Sequence, residues 1–336
     1  MSNQAAWLRS KGATLEVGPA DTYTPSASDL LIKVESIALN PLEAKLQRWA
    51  IFPLSYPTIL GFSFSGTVEK TGENVTKFKP GDRVVALRSV SSFGDYKFGA
   101  YQKYALVDPI STCKLDDKTS FDDAAAAGNL VTVAGLAAVA GLERPGHASE
   151  KPKGKFLVYG GSSSLGGFTI QWAAQAGYTV ITTSSAAHKD YVKSLGAAHI
   201  IDHKQSPDAV LAELKQQGPY EYIFNPIGSP PTEELMVKLL SETGGVFFTV
   251  DTLPSELPKG IEKKAYSYPI ELEKEEYKEL REWFYDEYYP QGLANGTIIP
   301  MRIEKVKGGL GALQGALDRL LGPEVSGVKL VVHPWE

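Results

Sequence analysis

The ten residues from Leu157 to Gly166, Leu-Val-Tyr-Gly-Gly-Ser-Ser-Ser-Leu-Gly, constrain the fold more than any other stretch of this chain. Phe156–Tyr159 is a short apolar run of the kind that fills the centre of a parallel sheet, and the residues from Phe168 to Ala176 suit a helix. The turn between them is rich in Gly and Ser. Gly160, Gly161 and Gly166 allow tight backbone paths, while serine hydroxyls and helix-opening N–H groups suit a pyrophosphate at the positive end of the helix dipole. Gly161, Ser162, Ser163, Ser164, Leu165 and Gly166 are therefore candidates for binding a dinucleotide.

The positions spaced as Gly-x-x-Gly-x-x-Gly hold Gly160, Ser163 and Gly166, so the turn departs from the usual fingerprint and by itself also fits a ligand-free strand-to-helix connection. Context favours the dinucleotide. The next strand, Thr179–Thr183, begins about twenty residues on, where a carboxylate normally holds a free ribose 2′-hydroxyl. Here the strand runs into Ser184-Ser185-Ala186-Ala187-His188-Lys189, which offers hydroxyls and a cation to a 2′-phosphate and no acid to repel it. This pattern points to NADPH rather than NADH.

At 336 residues the chain is too long for one small core and suggests two domains of an ordinary soluble type. A net charge of −5 without a basic block argues against a nucleic-acid partner and a membrane surface. One cysteine, Cys113, excludes an internal disulfide and any cysteine-based metal cluster. Met1 to Leu15 lacks the apolar centre of a signal peptide, so a cytoplasmic location is expected. Ala124 to Leu142 carries no charge over a bilayer-spanning length, but its Ala and Gly content predicts a buried helix packed closely against a sheet.

Up to about Ser120 the chain reads as short strands and turns, among them Leu30–Ile37, Gly66–Lys70, Arg83–Leu87 and Tyr101–Val107. From Phe121 the texture becomes alternating helix and strand. Six strands, Phe156–Tyr159, Thr179–Thr183, His199–Asp202, Tyr222–Asn225, Val246–Val250 and Ala265–Tyr268, predict an α/β fold with a doubly wound, six-stranded parallel Rossmann sheet. Glu271 to Tyr289 is expected to be one charged helix with a packing stripe of Tyr277, Leu280, Phe284 and Tyr288. The tail, Ile298 to Val332, returns to strand-like segments and is expected to rejoin the first domain, so that the Rossmann domain is an insertion. The expected division is 1–125 with 270–336 and 126–269 between them.

Several segments, in order along nearly the whole chain, resemble the medium-chain dehydrogenase/reductase superfamily. They include Asn40-Pro41-Leu42-Glu43-Ala44-Lys45, the run from Pro57 to Val68, Phe78-Lys79-Pro80-Gly81-Asp82-Arg83-Val84 and Gly160 to Gly167. Asp190 to Ala197 and Val325 to Val331 agree. The Gly-Gly-Ser-Ser-Ser-Leu-Gly turn looks like the fungal enoyl-reductase-like and quinone-oxidoreductase-like branch. The resemblance implies a β-rich, GroES-like catalytic domain around the Rossmann insertion.

The metal-using branch of that superfamily places a cysteine and a His-Glu pair where this chain reads Leu39-Asn40-Pro41 and Gly61-Phe62-Ser63, side chains that are not zinc ligands. A metal site is therefore not expected. Without a Lewis acid, hydride transfer to a conjugated C=C bond or a quinone is the chemistry left open, because conjugation already activates the acceptor. By the resemblance the expected function is zinc-independent, NADPH-dependent reduction of an enone or enal, free or as an acyl thioester on a synthase. Quinone reduction is the alternative, and a non-catalytic NADPH-binding structural or sensor protein the alternative of another class.

The resemblance also assigns residues. Asn40 and Lys45 are the catalytic candidates near the nicotinamide, with a helix cap and a solvated amine as their ordinary alternatives. Ser184, Ser185, His188, Lys189 and Lys193 are candidates for the cofactor phosphate, and His203 stands where relatives often carry a tyrosine. Val250 would meet the carboxamide through its backbone, and Lys329 would reach the cofactor from the tail unless it is simply a strand-edge lysine. A monomer and a homodimer paired through the sixth strand are both compatible with the sequence.

Overall fold

The computed structural model describes residues 2–89, 92–147 and 153–336. The chain forms two units, one made of Met1–Asn129 with Lys278–Glu336 and the other of Leu130–Tyr277.

The discontinuous unit is built on a sheet ordered Ile303–Lys305, Lys329–Val332, Leu30–Ala38, Ser63–Thr71, Arg83–Leu87, Thr112–Lys114, with Tyr104–Val107 also paired to Leu30–Ala38. The long strand Leu30–Ala38 gives the unit its closure, because Val331 pairs with Ala38 on one side and Phe64 with Ile37 on the other. The tail is thus hydrogen-bonded into the sheet begun some three hundred residues earlier. Alternating residues such as Leu30, Ile32, Val34, Phe64 and Val84 are fully buried and make the core. A small antiparallel sheet of Glu16–Ala20, Asn3–Leu8 and Thr58–Ile59, which the sequence pattern did not expose, covers part of it.

The first helix of this unit, Pro41–Trp49, starts where sequence says it should. Pro41 has no N–H to lose at the first helical position, and Asn40 before it is extended. Glu43 returns to cap the Asn40 N–H from the third helical position. Ala50, in the left-handed region at φ 49°, ends the helix.

In the second unit six parallel strands lie in the order His199–Asp202, Thr179–Ser184, Lys155–Val158, Tyr222–Asn225, Gly245–Thr249, Ile261–Ala265. That is the doubly wound order whose ligand crevice lies at the carboxyl ends of the strands. Phe156, Leu157, Val158 and Phe224 are buried because the central strands are covered on both faces.

Three local expectations need correction. The sixth strand is Ile261–Ala265 rather than Ala265–Tyr268. As an edge strand, Ile-Glu-Lys-Lys-Ala carries its polar residues into ion pairs instead of an apolar alternation, and Tyr268 opens a helix and donates its hydroxyl to the Thr249 carbonyl at 2.8 Å. The apolar run from Ala124 is divided into helices Phe121–Ala126 and Leu130–Ala140. The latter packs against another helix, where a Cβ on Gly135 would fall 2.0 Å from the Tyr268 carbonyl oxygen. The acidic helix is also broken: Tyr268–Glu273 and Lys278–Trp283 are separate, and Phe284–Tyr288 is a π-helical turn before Tyr289–Asn295. Pro290 lacks the N–H that a regular turn requires, and the wider turn buries Phe284, Tyr285, Tyr288 and Tyr289 together.

Candidate functional site

In the Rossmann unit the Gly- and Ser-rich turn leaves the strand Lys155–Val158 and enters the helix Ser164–Gln175. Gly160 has φ +82°, a conformation that a Cβ disfavours. Its N–H is held by the Thr183 hydroxyl at 2.9 Å, and the Gly161 N–H by the Thr183 carbonyl at 2.8 Å, so the turn is fastened to the second strand. Ser163 caps the helix by accepting the Gly166 N–H at 3.0 Å. A Cβ at Gly166 would come within 2.3 Å of the Gly160 carbonyl oxygen, and one at Gly161 within 2.5 Å of Thr182 Oγ1. Ser162, Ser163, Ser164 and Leu165 are half-buried, and the N–H groups of the first helical turn have no carbonyl of a preceding turn to bond. Such a rigid turn of small residues at a helix start fits a pyrophosphate.

The second strand ends at Ser184, and Ser184 pairs in register with Asp202 of the third. Ser184 and Ser185 are buried, His188 is half-buried, and Lys189, Lys193 and His203 are exposed. The His203 N–H donates to the Ser184 carbonyl, which brings His203 beside the strand end. The acids nearby are Asp202, whose carboxylate accepts the Lys204 N–H at 2.9 Å, and the exposed Asp190. Lysines and histidines therefore outnumber carboxylates at this corner of the sheet.

Val250 follows the fifth strand, and its side chain would lie 2.8 Å from a Cβ placed on Gly228. An ion network that the sequence pattern did not reveal fixes this loop. Lys263 Nζ donates to Glu233 at 2.9 Å, to Asp251 at 3.0 Å and to the Leu253 carbonyl at 3.0 Å. Burial works against the Asp251 charge, yet Lys263 and the Leu253 N–H hold its carboxyl below the ordinary range.

In the discontinuous unit the structure separates Lys45 from the other two candidates and brings Asn40 and Lys329 together. Lys45 is exposed on the outer side of the helix Pro41–Trp49, whereas Asn40 is 7 % exposed and sits in a buried polar cluster. Lys329, 4 % exposed, donates from Nζ to the Asn40 side-chain oxygen. Glu43, fully buried, accepts the Asn40 N–H at 2.9 Å, Asn40 Nδ2 at 3.1 Å and the Phe62 N–H at 3.2 Å. Burial raises the Glu43 carboxyl, opposed by these donors and by Lys329, and lowers the Lys329 amine, opposed by Glu43. The buried Tyr101 hydroxyl has no hydrogen-bond partner among the described residues and is pushed up by burial and by the Glu43 charge.

Sequence reasoning passed over Glu43 and Tyr101. Glu43 carried a signal, since an acid three residues after Asn40 and just past Pro41 is a helix-start pattern. The Lys329–Asn40 contact spans 289 residues and has no local signature. Among the described residues no group of three or more His, Cys, Asp and Glu side chains is placed to hold a metal ion. Cys113 is buried, and burial pushes its thiol well above the ordinary range.

Comparison with known proteins agrees with both units. The chain matches the alcohol dehydrogenase GroES-like domain over residues 26–117 and the zinc-binding dehydrogenase domain over residues 164–263. It is 34 % identical to the dehydrogenase orsE of Emericella nidulans over 77 % of this chain and 81 % of that protein. It is 31 % identical to the trans-enoyl reductase tndF of Aspergillus flavipes over 98 % of both. Among solved structures, a mycobacterial protein complexed with NADPH superposes with a TM-score of 0.78 at 20 % identity, covering 99 % of this chain and 100 % of that one. With a Rossmann sheet, a GroES-like partner unit and full-length relatives above 30 % identity, this chain belongs to the medium-chain dehydrogenase/reductase family, oxidoreductases that work with a nicotinamide dinucleotide.

Proposed function

We propose that this protein is a zinc-independent, NADPH-dependent reductase of conjugated C=C bonds, acting on an enal, an enone or the corresponding acyl thioester. The observation that carries the reading is the end of the second Rossmann strand. Buried Ser184 and Ser185 lead there into His188, Lys189 and Lys193, with hydroxyls and cations where a 2′-hydroxyl-binding acid would stand. The trans-enoyl reductase relatives support the choice of acceptor.

NADPH, when bound, supplies the hydride for the β-carbon of the acceptor. Within Gly161–Gly166 the Ser162 hydroxyl and the Leu165 N–H at the helix start would meet the pyrophosphate, the Gly161 and Gly166 N–H groups and the Ser163 hydroxyl being engaged inside the turn, and Lys189 and Lys193 would neutralise the extra phosphate. The π electrons of the acceptor move to its carbonyl oxygen as the β-carbon accepts hydride, and a proton at the α-carbon completes the saturated carbonyl. Each turnover thus consumes one reduced dinucleotide, one C=C bond and one proton. In place of the Lewis acid that Asn40, Phe62 and Ser63 are not equipped to hold, a fixed N–H donor would stabilise the growing oxyanion.

The reading is tested by steady-state reduction of a panel of enals, enones, quinones and acyl thioesters, with NADPH or NADH and with or without a chelator. Chelator-insensitive reduction of an enal, enone or thioester with NADPH preferred is the expected result. Metal-dependent oxidation of simple alcohols would overturn it, and reduction confined to quinones would replace the acceptor class.

A further inference from the structure

The Asn40 side chain is held between opposite charges. A side-chain amide ordinarily has two orientations, related by exchange of its oxygen and nitrogen. Here the choice is forced, because the oxygen faces the Lys329 ammonium and Nδ2 faces the Glu43 carboxylate at 3.1 Å. Reversal would set an amide N–H against an ammonium and an amide oxygen against a carboxylate, all of it away from water. The backbone supports the same arrangement from two places, since Glu43 also accepts the N–H groups of Asn40 at the helix start and of Phe62 just before the strand Ser63–Thr71, and so is fixed at three points. Asn40 has then spent its acceptor and one of its two amide hydrogens, and the second Nδ2–H has no acceptor among the described residues.

We infer that Glu43 and Lys329 are positioning residues that lock the Asn40 carboxamide in one orientation, so that its remaining N–H is the pre-aimed donor to the oxyanion formed during C=C reduction. The inference rests on the reductase reading above for its catalytic half, whereas the lock stands on the geometry of the protein alone. No proton is transferred by the lock. Its contribution is a donor whose direction is set before the substrate arrives, which is where enzymes gain over water. Lys329 then acts on the reaction through Asn40 rather than by touching the dinucleotide.

Two measurements test the two halves separately. In cofactor-free protein labelled with nitrogen-15 at asparagine, the Asn40 side-chain resonances are identified by their loss in Asn40→Asp. One amide hydrogen should exchange slowly in the parent protein, and this protection should fall at least severalfold in Lys329→Met and Glu43→Gln. Free-amide exchange of both hydrogens in the parent, or unchanged protection in both variants, overturns the lock. In kinetics, Asn40→Ala should lower kcat roughly a hundredfold, the usual effect of deleting one oxyanion donor. Lys329→Met and Glu43→Gln should each lower kcat roughly tenfold or more while the Kd for NADPH, followed by fluorescence, stays within about twofold.

If either positioning variant fails to fold, the other and the exchange of the parent protein decide. Wild-type kcat in a folded Lys329→Met or Glu43→Gln overturns the positioning role, as does a loss confined to NADPH binding. A parent protein without reductase activity overturns the reductase reading and the catalytic use of the lock, and the exchange data still decide whether the lock exists.

Discussion

Ser163 and Gly166 close the turn on itself: the Ser163 hydroxyl accepts the Gly166 N–H at 3.0 Å and donates to the Gly160 carbonyl at 2.8 Å. The serine therefore does the work of a helix cap and of the missing middle glycine of the fingerprint, holding the turn by side-chain bonds where a glycine would hold it by conformation. Ser163→Ala should cost about 1 kcal/mol of stability and raise the Kd for the dinucleotide severalfold. Denaturant titration and NADPH fluorescence check the two effects.

Gly166→Ala is a harsher change, because the added Cβ meets a backbone carbonyl at 2.3 Å rather than a movable side-chain end. Relieving that clash should cost on the order of 1–3 kcal/mol and displace the helix start from the pyrophosphate position. Dinucleotide binding should fall below detection in a protein whose circular dichroism is native. Binding at wild-type affinity would show that the helix start is not the phosphate cradle.

Lys189 and Lys193 carry the discrimination between dinucleotides in this account. The double variant Lys189→Ala/Lys193→Ala should raise the KM for NADPH about tenfold or more, equivalent to ~1.4 kcal/mol, and leave that for NADH within about twofold. Raising the salt concentration in the parent protein should mimic the variant, since both lysines are exposed.

The Lys263 network gives a prediction for stability and pH. Lys263→Met leaves Glu233 and Asp251 without their cation and should cost roughly 2 kcal/mol, less than a fully buried pair because both carboxylates keep some water. The Asp251 carboxyl is held below its ordinary 3.8, so its contribution is complete above that value and disappears as pH falls through the lower folded value. Burial works against the Lys263 charge, but Glu233 and Asp251 raise it above 10.5, so its contribution is complete below 10.5 and disappears as pH rises through the higher folded value. The stability difference between parent and Lys263→Met should be flat across neutral pH and shrink at acid pH, as urea titrations at several pH values will show.

The parallel sheet was legible because its central strands are apolar runs covered on both faces, and Tyr222–Asn225 lies where that pattern puts it. The edge strand Ile261–Ala265 was not, because a strand of lysines stabilised by ion pairs lacks both apolar periods. The acidic helix misled for a related reason. Tyr277, Leu280, Phe284 and Tyr288 keep helical spacing through a π-helical turn, and periodicity is blind to one inserted residue per turn. At the site, the Gly160–Gly166 turn was visible as local chemistry. The Lys329–Asn40–Glu43 cluster was visible only in part, since one of its contacts is three residues long and the other joins opposite ends of the chain.

C=C reduction is tested most directly by the fate of deuterium from NADPH labelled at the transferable position, with an α,β-unsaturated aldehyde or ketone as acceptor. The expected result is a saturated carbonyl product bearing one deuterium on the β-carbon, formed equally well in the presence of a chelator. Deuterium on the carbonyl carbon, giving an unsaturated alcohol, or no transfer of label to any conjugated acceptor, would contradict it.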